Sequence, residues 1–380
     1  MLSVDVLIIG GGPAGSSLGY MLQKAGLKCC IVDKAVFPRK KLCAGLLTQK
    51  TYDLIGEIFG DTSFPCVRRS KNLSLFLGVQ KLSTVQTDSN FYLVDRTDFD
   101  FYFLQKYLRL DGIIFEGAAI KNIRLDDNYA VLSSGEDLSY KVLIGADGAN
   151  SQVRKYVDRK YSPNAVCLEF NSQSCDIDVI DEIQVYFSAV RSGYGWRFPK
   201  KDHYTVGIIG VIRVNQDIKK SFEAFYQSIG TTAGNEKTSG ALIPFGEFVK
   251  TPCKNNILLV GDAAGLVDPI TGEGLYFAFL SAKYASEAVF EFLRSEKNLC
   301  QSYLSKIKRI QNIITGANRF NRLFLNKATK PFFLKMVNGK THVVKYFCEN
   351  LLSRYNVTYL EFVVKYMKER RERKKAERQV

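Results

Sequence analysis

The beginning of the chain alternates between short apolar runs and one amphipathic stretch. Residues 4–9 are apolar and rich in β-branched side chains, which is typical of a buried parallel strand. Between residues 16 and 25 the apolar positions recur with helical spacing, and Gly26 then ends the pattern. Residues 29–32 are apolar again and lead into Asp33. This order predicts a strand, a helix and a second strand, the opening unit of an α/β fold with a parallel sheet.

A glycine-rich turn joins the first strand to the helix. Gly10, Gly12 and Gly15 form the pattern G-x-G-x-x-G. In this setting the first glycine allows a tight turn, the second lets the backbone approach a pyrophosphate, and the third lets the helix pack closely on the strand. The helix N-terminus offers free N–H groups and partial positive charge to phosphate. Asp33 can accept a hydrogen bond from a ribose hydroxyl, so the unit predicts a site for FAD or NAD.

Two later apolar runs end in similar glycine turns. Residues 143–151 pass from a strand into Gly-Ala-Asp-Gly, and residues 257–265 pass from a strand into Gly-Asp-Ala-Ala-Gly. A long helix is predicted to start at about Leu275. Between these turns, segments with strand character predict a second, antiparallel sheet: residues 73–86, 183–187 and 204–213.

The composition excludes several classes of protein. Of 380 residues, 46% are hydrophobic and 24% are charged, which is a globular balance rather than a disordered one. The net charge of +15 favours acidic partners: nucleic acid, anionic lipid or a phosphorylated small molecule. Nine scattered cysteines without a CxxC pair favour a reducing, cytoplasmic compartment over a disulfide framework, and only two histidines argue against a metal site. No apolar stretch reaches the length of about 18 residues that a transmembrane helix needs.

The three glycine turns also occur in a characteristic order: Gly-Gly-Gly-Pro-Ala-Gly, then Gly-Ala-Asp-Gly, then Gly-Asp-Ala-Ala-Gly. With them, residues 1–295 resemble the flavoprotein group that contains p-hydroxybenzoate hydroxylase, the flavin-dependent halogenases and the geranylgeranyl reductases. The resemblance implies that the cofactor is FAD. It also implies a Rossmann-like FAD-binding domain beside an antiparallel-sheet substrate domain, with a helical segment at the C-terminus.

Three further segments resemble the geranylgeranyl reductase family within that group. Residues 37–45 are similar to its Pro-Arg-x-Lys-x-Cys-Gly-Gly stretch, with Ala44 in place of the first glycine. Residues 94–100 are similar to its Asp-Arg-x-x-Phe-Asp element, and residues 193–199 to its Tyr-x-Trp-x-Phe-Pro element. The halogenase motif Trp-x-Trp-x-Ile-Pro is matched less well, because Tyr194 replaces its first tryptophan, which argues against halogenation.

Motif and resemblance together imply the cofactor-binding residues. They are Gly10, Gly12, Pro13, Ala14, Gly15, Asp33, Lys34, Arg39, Cys43, Ala44, Gly45, Arg96, Asp147, Gly261, Asp262, Gly272, Gly274 and Leu275. Asp262 is expected to accept a hydrogen bond from a ribityl hydroxyl, and the helix from Leu275 to face the flavin edge that becomes negative on reduction. Asp147 either braces its turn or faces the pyrophosphate.

Three residues are candidates for the substrate side of the site, and no metal is expected there. The family places its equivalent of Cys43 close to the flavin, where the residue either takes part in the reaction or is a small buried side chain. Trp196, the only tryptophan, is either a core aromatic or a wall of the substrate cavity, and Tyr194 lies on the same strand.

The expected domains are discontinuous along the chain. The FAD-binding domain comprises residues 1–64, 92–160 and 253–296, the substrate domain 65–91 and 161–252, and the C-terminal basic helical segment 297–380. From residue 365 to 378, eight basic and three acidic side chains give a charge of +5. This run is either a solvated helix end or a peripheral contact with an anionic membrane, where each base contributes about 1 kcal/mol. Nucleic-acid binding is not expected, because no recognition module is present.

The resemblance implies a FAD-dependent oxidoreductase that saturates carbon–carbon double bonds of a prenyl lipid chain, with hydride delivered from N5 of the reduced flavin. Two alternatives stay open. One is a flavin monooxygenase acting on an aromatic or polyene substrate, and the other is a non-catalytic FAD-containing protein that binds a lipid or a partner. The electron donor is NADPH, NADH or a small redox protein, since the chain has a single dinucleotide motif. The oligomeric state is left open.

Overall fold

The computed structural model describes residues 1–173, 181–233, 237–295, 297–324 and 338–353, with the single positions 359, 361, 364, 368 and 371. The strands, in chain order, are β1 (Leu2–Ile9), β2 (Cys29–Asp33), β3 (Leu46–Leu47), β4 (Arg68–Leu77), β5 (Gln80–Leu93), β6 (Ile113–Glu116), β7 (Ile120–Arg124), β8 (Tyr129–Leu132), β9 (Asp137–Gly145), β10 (Ala165–Gln173), β11 (Ile183–Phe187), β12 (Gly193–Pro199), β13 (His203–Val211), β14 (Ser239–Ile243), β15 (Cys253–Lys254) and β16 (Ile257–Leu259). The helices are α1 (Pro13–Lys24), α2 (Gln49–Phe59), α3 (Arg96–Leu108), α4 (Arg154–Val157), α5 (Ile218–Ser228), α6 (Leu275–Ser295), α7 (Leu299–Phe324) and α8 (Thr341–Phe347). Short 3₁₀ turns occupy Ile212–Val214 and Gly261–Ala264, and a π-helical turn, Cys348–Leu352, follows α8.

The first sheet grows from the strand–helix–strand unit that the sequence predicts. Its eight strands follow the order β15-β16-β9-β1-β2-β6, and the β7–β8 hairpin joins it through β9. β1 pairs in parallel with β2 on one side and with β9 on the other. Val6, Leu7 and Ile8 of β1 are fully buried, because helices and other chain segments cover both faces of this parallel sheet.

The carboxyl ends of three parallel strands lie side by side at one edge of this sheet. Ile9, which ends β1, is in register with Gly145, which ends β9. Gly145 is in turn in register with Leu259, which ends β16. Because the three glycine turns follow these strands directly, segments that are distant in sequence meet at one crevice, the usual ligand position in such sheets.

The second sheet is the predicted one, with one pairing that the pattern did not indicate. Its eight strands follow the order β14-β10-β13-β12-β11-β4-β5-β3. Neighbouring strands are antiparallel except β4 and β11, which run parallel with Leu73 opposite Ile183. The predicted strand at residues 73–86 is two strands, because the chain turns at Gly78, where φ is +56°. The segment at 204–213 ends as a strand at Val211 and continues as a 3₁₀ turn.

The predicted helices are present, and one begins earlier than expected. α1 starts at Pro13, where the fixed φ of proline suits the first helical position, rather than at residue 16. α6 begins at Leu275 as predicted. In α7 four isoleucines at helical spacing are buried in the core: Ile307, Ile310, Ile313 and Ile314.

The C-terminal part of the chain is only partly described, and most of the basic run at residues 365–378 lies outside the described residues. Within the part that is described, no helix is both long and apolar enough to cross a membrane. The scattered cysteines argued against a disulfide framework, but Cys253 of β15 and Cys300 of α7 are bonded to each other. The pair brings together two cysteines 47 residues apart, a separation with no recognisable spacing motif.

Candidate functional site

A continuous cavity of about 740 Å³ extends from the glycine turns of the first sheet to one face of the second sheet. At one end it is lined by backbone and polar side chains, including Gly12, Asp33 and Asp262. At the other end its walls are apolar side chains from the second sheet, α7, α8 and the π-helical turn. The cavity therefore has a polar cradle and an apolar chamber, which meet near Cys43 and Tyr194.

The first glycine turn has one position that is open to the cavity and two that are closed by the fold. Gly10 has a φ of +107° and packs against the carbonyl of Ala146, so a side chain there would collide with the second glycine turn. A side chain at Gly15 would collide with the Gly10 carbonyl. A Cβ at Gly12 would meet only Arg39 Nη2, at 3.3 Å. The fold itself therefore does not require a glycine at position 12, whereas a ligand in the cavity would.

Arg39 faces this turn with an incompletely bonded guanidinium. The group stacks on the Phe37 ring, with its central carbon 4.7 Å from the ring centroid. Its Nη1 lies 3.3 Å from Asp100 Oδ2 but is buried without a hydrogen-bond partner among the described residues. The ion pair leaves this buried N–H without a hydrogen-bond acceptor, so the position fits an anionic ligand between Arg39 and the α1 N-terminus.

Asp33 ends β2 and lies at the polar end of the cavity. Its Oδ2 accepts a hydrogen bond from Gly11 N at 2.7 Å, and its Oδ1 accepts one from Ala35 N at 2.9 Å. These bonds fix the carboxylate, whose remaining lone pairs can accept from a ligand hydroxyl.

Asp147 braces the second glycine turn and also lines the cavity. Its carboxylate accepts hydrogen bonds from Ser151 Oγ at 2.5 Å and from Gln152 N at 2.6 Å. Burial raises the pKa of Asp147 above its usual value, while these two donors act in the opposite direction. Arg154 then ties this turn to the third one, since its guanidinium donates to the carbonyls of Ala149 and Ala263.

The segment of residues 268–274, called here the Asp268 loop, forms the floor where the polar and apolar parts of the cavity meet. Fully buried Asp268 accepts hydrogen bonds from Ile270 N at 2.7 Å and Thr271 N at 2.9 Å, and its other oxygen accepts one from Tyr359 OH at 2.9 Å. From the second sheet, Tyr194 OH donates to Thr271 O at 2.5 Å. The loop is therefore fixed by hydrogen bonds within it, by Tyr194 of β12 and by Tyr359 near the C-terminus.

A buried ion pair supports the same loop. Glu273 Oε2 lies 2.6 Å from Lys50 Nζ, and Lys50 also donates to Leu351 O of the π-helical turn at 3.2 Å. Thr48 and Thr51 donate to the other oxygen of Glu273. Burial lowers the pKa of Lys50, while Glu273 acts to raise it. The Asp268 loop is thus joined to α2 and to the C-terminal segment through charged groups.

The Cys43 segment closes the cavity opposite the Asp268 loop. Gly45 has a φ of +68° and packs against the Val94 carbonyl, which also accepts a hydrogen bond from Lys200 Nζ at 2.6 Å. Gly45 N donates to Cys43 Sγ at 3.4 Å. Beside them, Arg96 forms a bidentate ion pair with Asp100, at 2.7 and 2.9 Å, inside the core. These contacts hold Cys43 at the cavity wall.

The apolar chamber is bounded by one face of the second sheet and by helices near the C-terminus. Tyr194 and Trp196 lie on this face, and their ring centroids are 6.0 Å apart. The other apolar side chains that line the chamber are Leu42, Leu46, Leu73, Leu75, Phe91, Ile183, Val185, Phe187, Phe198, Ile209, Ile243, Val267, Ile270, Phe320, Val343, Val344, Phe347 and Leu352. The last of these come from a region in which the sequence indicated only basic helices.

Nearly all the residues predicted for the site line this cavity. Gly15 and Gly261 are the exceptions: Gly15 lies between α1 and the first turn, and Gly261 packs against Ala14 and α6. Sequence reasoning missed Glu169, Lys200, Lys50, Asp268 and the α8 side chains. Each is a single residue in an ordinary strand, helix or loop pattern, so its partners become visible only in the fold. The basic stretch that lines the mouth, Lys34 with Lys40 and Lys41, is exposed.

The polar end fits FAD by three features of this chain. Gly12 leaves room for a pyrophosphate, Arg39 presents a buried N–H that makes no hydrogen bond among the described residues, and the carboxylates of Asp33 and Asp262 line the same cavity. At the Asp268 loop, Gly274 carries no side chain where a Cβ would lie 3.3 Å from Asp262 Oδ1. A dinucleotide with a flat ring at its end matches this shape and donor set.

Comparisons with known proteins agree with this interpretation. Residues 3–61 match the family model described as an FAD binding domain. An uncharacterised protein from Methanosarcina barkeri is 31% identical over 309 residues, which cover 78% of this chain and 76% of that protein. A geranylgeranyl diphosphate reductase from Rhodobacter capsulatus is 27% identical over 319 residues, covering 78% of this chain and 77% of the relative.

Among solved structures, a geranylgeranyl bacteriochlorophyll reductase-like protein from Thermoplasma acidophilum has the same fold. Its TM-score with this chain is 0.74 at 20% identity, and the alignment covers 96% of this chain and 95% of that one. The predicted α/β fold class, with a Rossmann-like FAD-binding part and a second sheet, is confirmed by this likeness.

Proposed function

Because the chain belongs to the geranylgeranyl reductase family of FAD-dependent oxidoreductases, we propose that it reduces carbon–carbon double bonds in a prenyl lipid chain. One observation carries the proposal: an apolar chamber opens directly from the cradle that fits FAD. An isolated double bond has no polar group by which it can be held. Its position must be set by the shape of apolar walls, and the chamber offers such walls from the second sheet, α7 and α8.

In this proposal the residues predicted from the sequence hold FAD. Gly12, Arg39 and the N-terminus of α1 would bind the pyrophosphate, Asp33 the ribose, and Asp262 the ribityl chain. The Asp268 loop and the start of α6 would hold the ring. Bound and reduced FAD supplies a hydride equivalent to the substrate. The protein's own tasks are to orient the double bond, to exclude water and to supply a proton.

Three residues at the junction of cradle and chamber serve those tasks. Trp196 forms part of the wall against which the chain lies, and Tyr194 both lines the chamber and fixes the Asp268 loop through Thr271. Cys43 is the proposed proton donor, since it lines the cavity where the two parts meet. Its sulfur accepts a hydrogen bond from Gly45 N, which would stabilise the negative charge left after proton transfer.

The proposal also includes an electron donor for the flavin and attachment to a membrane surface. NADPH, NADH or a small redox protein reduces the FAD. The basic C-terminus, with the exposed lysines at the mouth, brings the chain to an anionic membrane surface where prenyl lipids reside. The domain boundaries given above stay a prediction.

Anaerobic titration of the FAD-loaded protein tests the proposal. The flavin is reduced chemically, excess reductant is removed, and a geranylgeranyl lipid is added while flavin absorbance is followed. The flavin should reoxidise in proportion to the double bonds added, and a fully saturated analogue of the same lipid should leave it reduced. Reoxidation only after oxygen is admitted, with oxygen found in the product, would instead support the monooxygenase. Tight lipid binding without any flavin oxidation would support the non-catalytic alternative.

A further inference from the structure

Glu169 is a carboxyl group on the face of the second sheet that otherwise lines the apolar chamber. It lies on β10, two residues from Cys167, which lines the cavity from the same face of the strand. Across the sheet, Glu169 is in register with Gly207 of β13, and Gly207 is in register with Trp196 of β12. Because Gly207 has no side chain, the Trp196 indole lies over it. Glu169 and Trp196 thus belong to one row beneath the chamber.

Glu169 is almost completely enclosed and incompletely bonded. Its residue is 8% exposed. One carboxyl oxygen, Oε1, accepts a hydrogen bond from Cys43 N at 3.1 Å. The other oxygen, Oε2, is buried without a hydrogen-bond partner among the described residues. An unbonded carboxylate oxygen in that position costs more than an unbonded carboxylic acid, because it carries charge, so the site favours the acid form of Glu169.

Charged groups around Glu169 oppose this preference without overcoming it. Burial raises the pKa of Glu169 to about 7, while Lys200, the Cys43 N–H and Arg96 act to lower it. Lys200 is itself buried beside Asp95, at 3.9 Å, and burial lowers its pKa. Glu169 can therefore gain and lose a proton near neutral pH.

We propose that Glu169 is the proton store for Cys43, returning a proton to that residue after each reduction at the chamber. This inference rests on the proposed function and adds to it a group that does not itself line the cavity. Cys43 is the link, because its backbone N–H binds Glu169 while the residue lines the cavity. The thiol sulfur is three covalent bonds from that nitrogen, and in the proposed step rotation of either side chain brings it to Glu169.

The step balances in atoms and charge. One alkene carbon receives the hydride equivalent from reduced flavin, and the other receives the proton of the Cys43 thiol, so a C–H bond forms as the S–H bond breaks. The resulting thiolate takes the proton of the Glu169 carboxylic acid. Glu169 is left as a carboxylate and regains its proton from solvent before the next turnover. Glu169 thus acts on the substrate only through Cys43 and does not contact the reacting atoms itself.

The test compares Glu169→Gln with Glu182→Gln in the full-length, FAD-loaded protein. The amide of Glu169→Gln keeps an acceptor for Cys43 N but cannot exchange a proton. Glu182 is the matched control because it is equally exposed, at 8%, directly precedes β11 of the same sheet, is bonded to Ser74 and Gln184, and does not line the cavity. Both variants should retain bound FAD, which checks that they fold.

The first readout needs no substrate. The infrared carbonyl band of a buried carboxylic acid should fade as pH rises through about 7 in the wild type and in Glu182→Gln, and be missing from Glu169→Gln. The rate at which Cys43 is alkylated, followed by mass spectrometry with Cys66 as internal reference, should show an inflection at the same pH that Glu169→Gln lacks. Identical bands or identical profiles in the wild type and Glu169→Gln would overturn the proposal.

The second readout separates one turnover from many. Glu169→Gln should reduce the first double bond at nearly the wild-type rate, because its Cys43 thiol is already protonated. Steady-state turnover should fall by about a hundredfold, the lower range for a lost proton-transfer group. Equal steady-state rates would overturn the role of Glu169. If the wild type does not reduce the prenyl lipid at all, only the proposed function is overturned, because the infrared and alkylation results do not depend on a substrate.

Discussion

The three glycines of the first turn have different roles although they belong to one motif. Gly10 and Gly15 are required by the fold, since the chain itself occupies the space where their side chains would lie. Gly12 has an ordinary φ of −71° and faces only the flexible end of Arg39. The motif could be read from sequence because its demands are local. Glu169 could not, because its partner Cys43 is 126 residues away.

Gly12→Val should therefore remove FAD binding while leaving the fold intact. The branched side chain displaces the end of Arg39 and fills the space assigned to the pyrophosphate. We expect a colourless protein whose melting temperature equals that of the wild type stripped of FAD. Gly316→Ala is the control, since nothing lies within 4 Å of the added carbon, and it should stay yellow. Full FAD content in Gly12→Val would refute the phosphate assignment.

Glu169 also predicts how stability changes with pH. Its pKa is about 7 in the fold against an ordinary 4.5, so the folded chain binds more protons between these values. The stabilisation is complete below about pH 4.5 and is lost as pH rises through about 7. Between pH 4.5 and 8 the free energy of unfolding of Glu169→Gln, measured with urea, should rise by about 3 kcal/mol relative to that of the wild type. A pH-independent difference between the two proteins would contradict the assignment.

The Asp268 loop is the element in which cofactor site, substrate chamber and C-terminal segment meet. Tyr194 of the second sheet, Lys50 of α2 and Tyr359 near the C-terminus all bind the loop or its Glu273. The sequence predicted the elements around it, because strand and helix periodicities are local. It did not predict that β4 and β11 pair in parallel or that α8 lines the chamber, because apolar spacing does not specify which surface an element covers.

Removing one support of the loop should weaken FAD binding as well as the fold. Tyr194→Phe deletes the hydrogen bond to Thr271 O, a loss of about 1 kcal/mol in stability. If the loop positions the flavin, FAD affinity should fall by about fivefold, measured by fluorescence titration. Tyr303→Phe loses a similar buried bond, to Leu259 O, away from the cavity and should destabilise the chain without this loss of affinity. Equal FAD affinities in the two variants would count against the loop's role.

At the scale of the whole molecule, both sheets contribute to the walls of a continuous cavity, and the chain carries a net charge of +15. Motifs spread over the chain predicted the cradle because three parallel strands end at a common edge. The sequence suggested only Trp196 as a wall of the substrate cavity, since the other walls of the chamber come from scattered positions in the second sheet and the helices. A cradle opening into an apolar chamber is the arrangement expected of an enzyme that acts on a lipid chain.

Removal of residues 368–380 should reduce binding to anionic vesicles and leave FAD content unchanged. The bases of this run attract anionic lipid over a Debye length of about 10 Å at 0.1 M salt, which shrinks to about 3 Å at 1 M. Binding of the full-length chain, measured by vesicle sedimentation, should therefore fall steeply over that range and be weak with zwitterionic lipid. If the truncated and full-length chains bind anionic vesicles equally at low salt, the run is only a solvated helix end.

The central claim is that this FAD-dependent fold saturates double bonds of a prenyl chain, and mass spectrometry of the lipid product tests it most directly. The reduced, FAD-loaded protein is incubated without oxygen with a geranylgeranyl lipid. The lipid is then extracted and its molecular mass is measured by mass spectrometry. We expect a product that gains only hydrogen, two atoms for each double bond. The lipid incubated with Gly12→Val protein should be recovered with its mass unchanged. A lipid recovered unchanged from the reduced wild type, or one that gains oxygen when air is present, would contradict it.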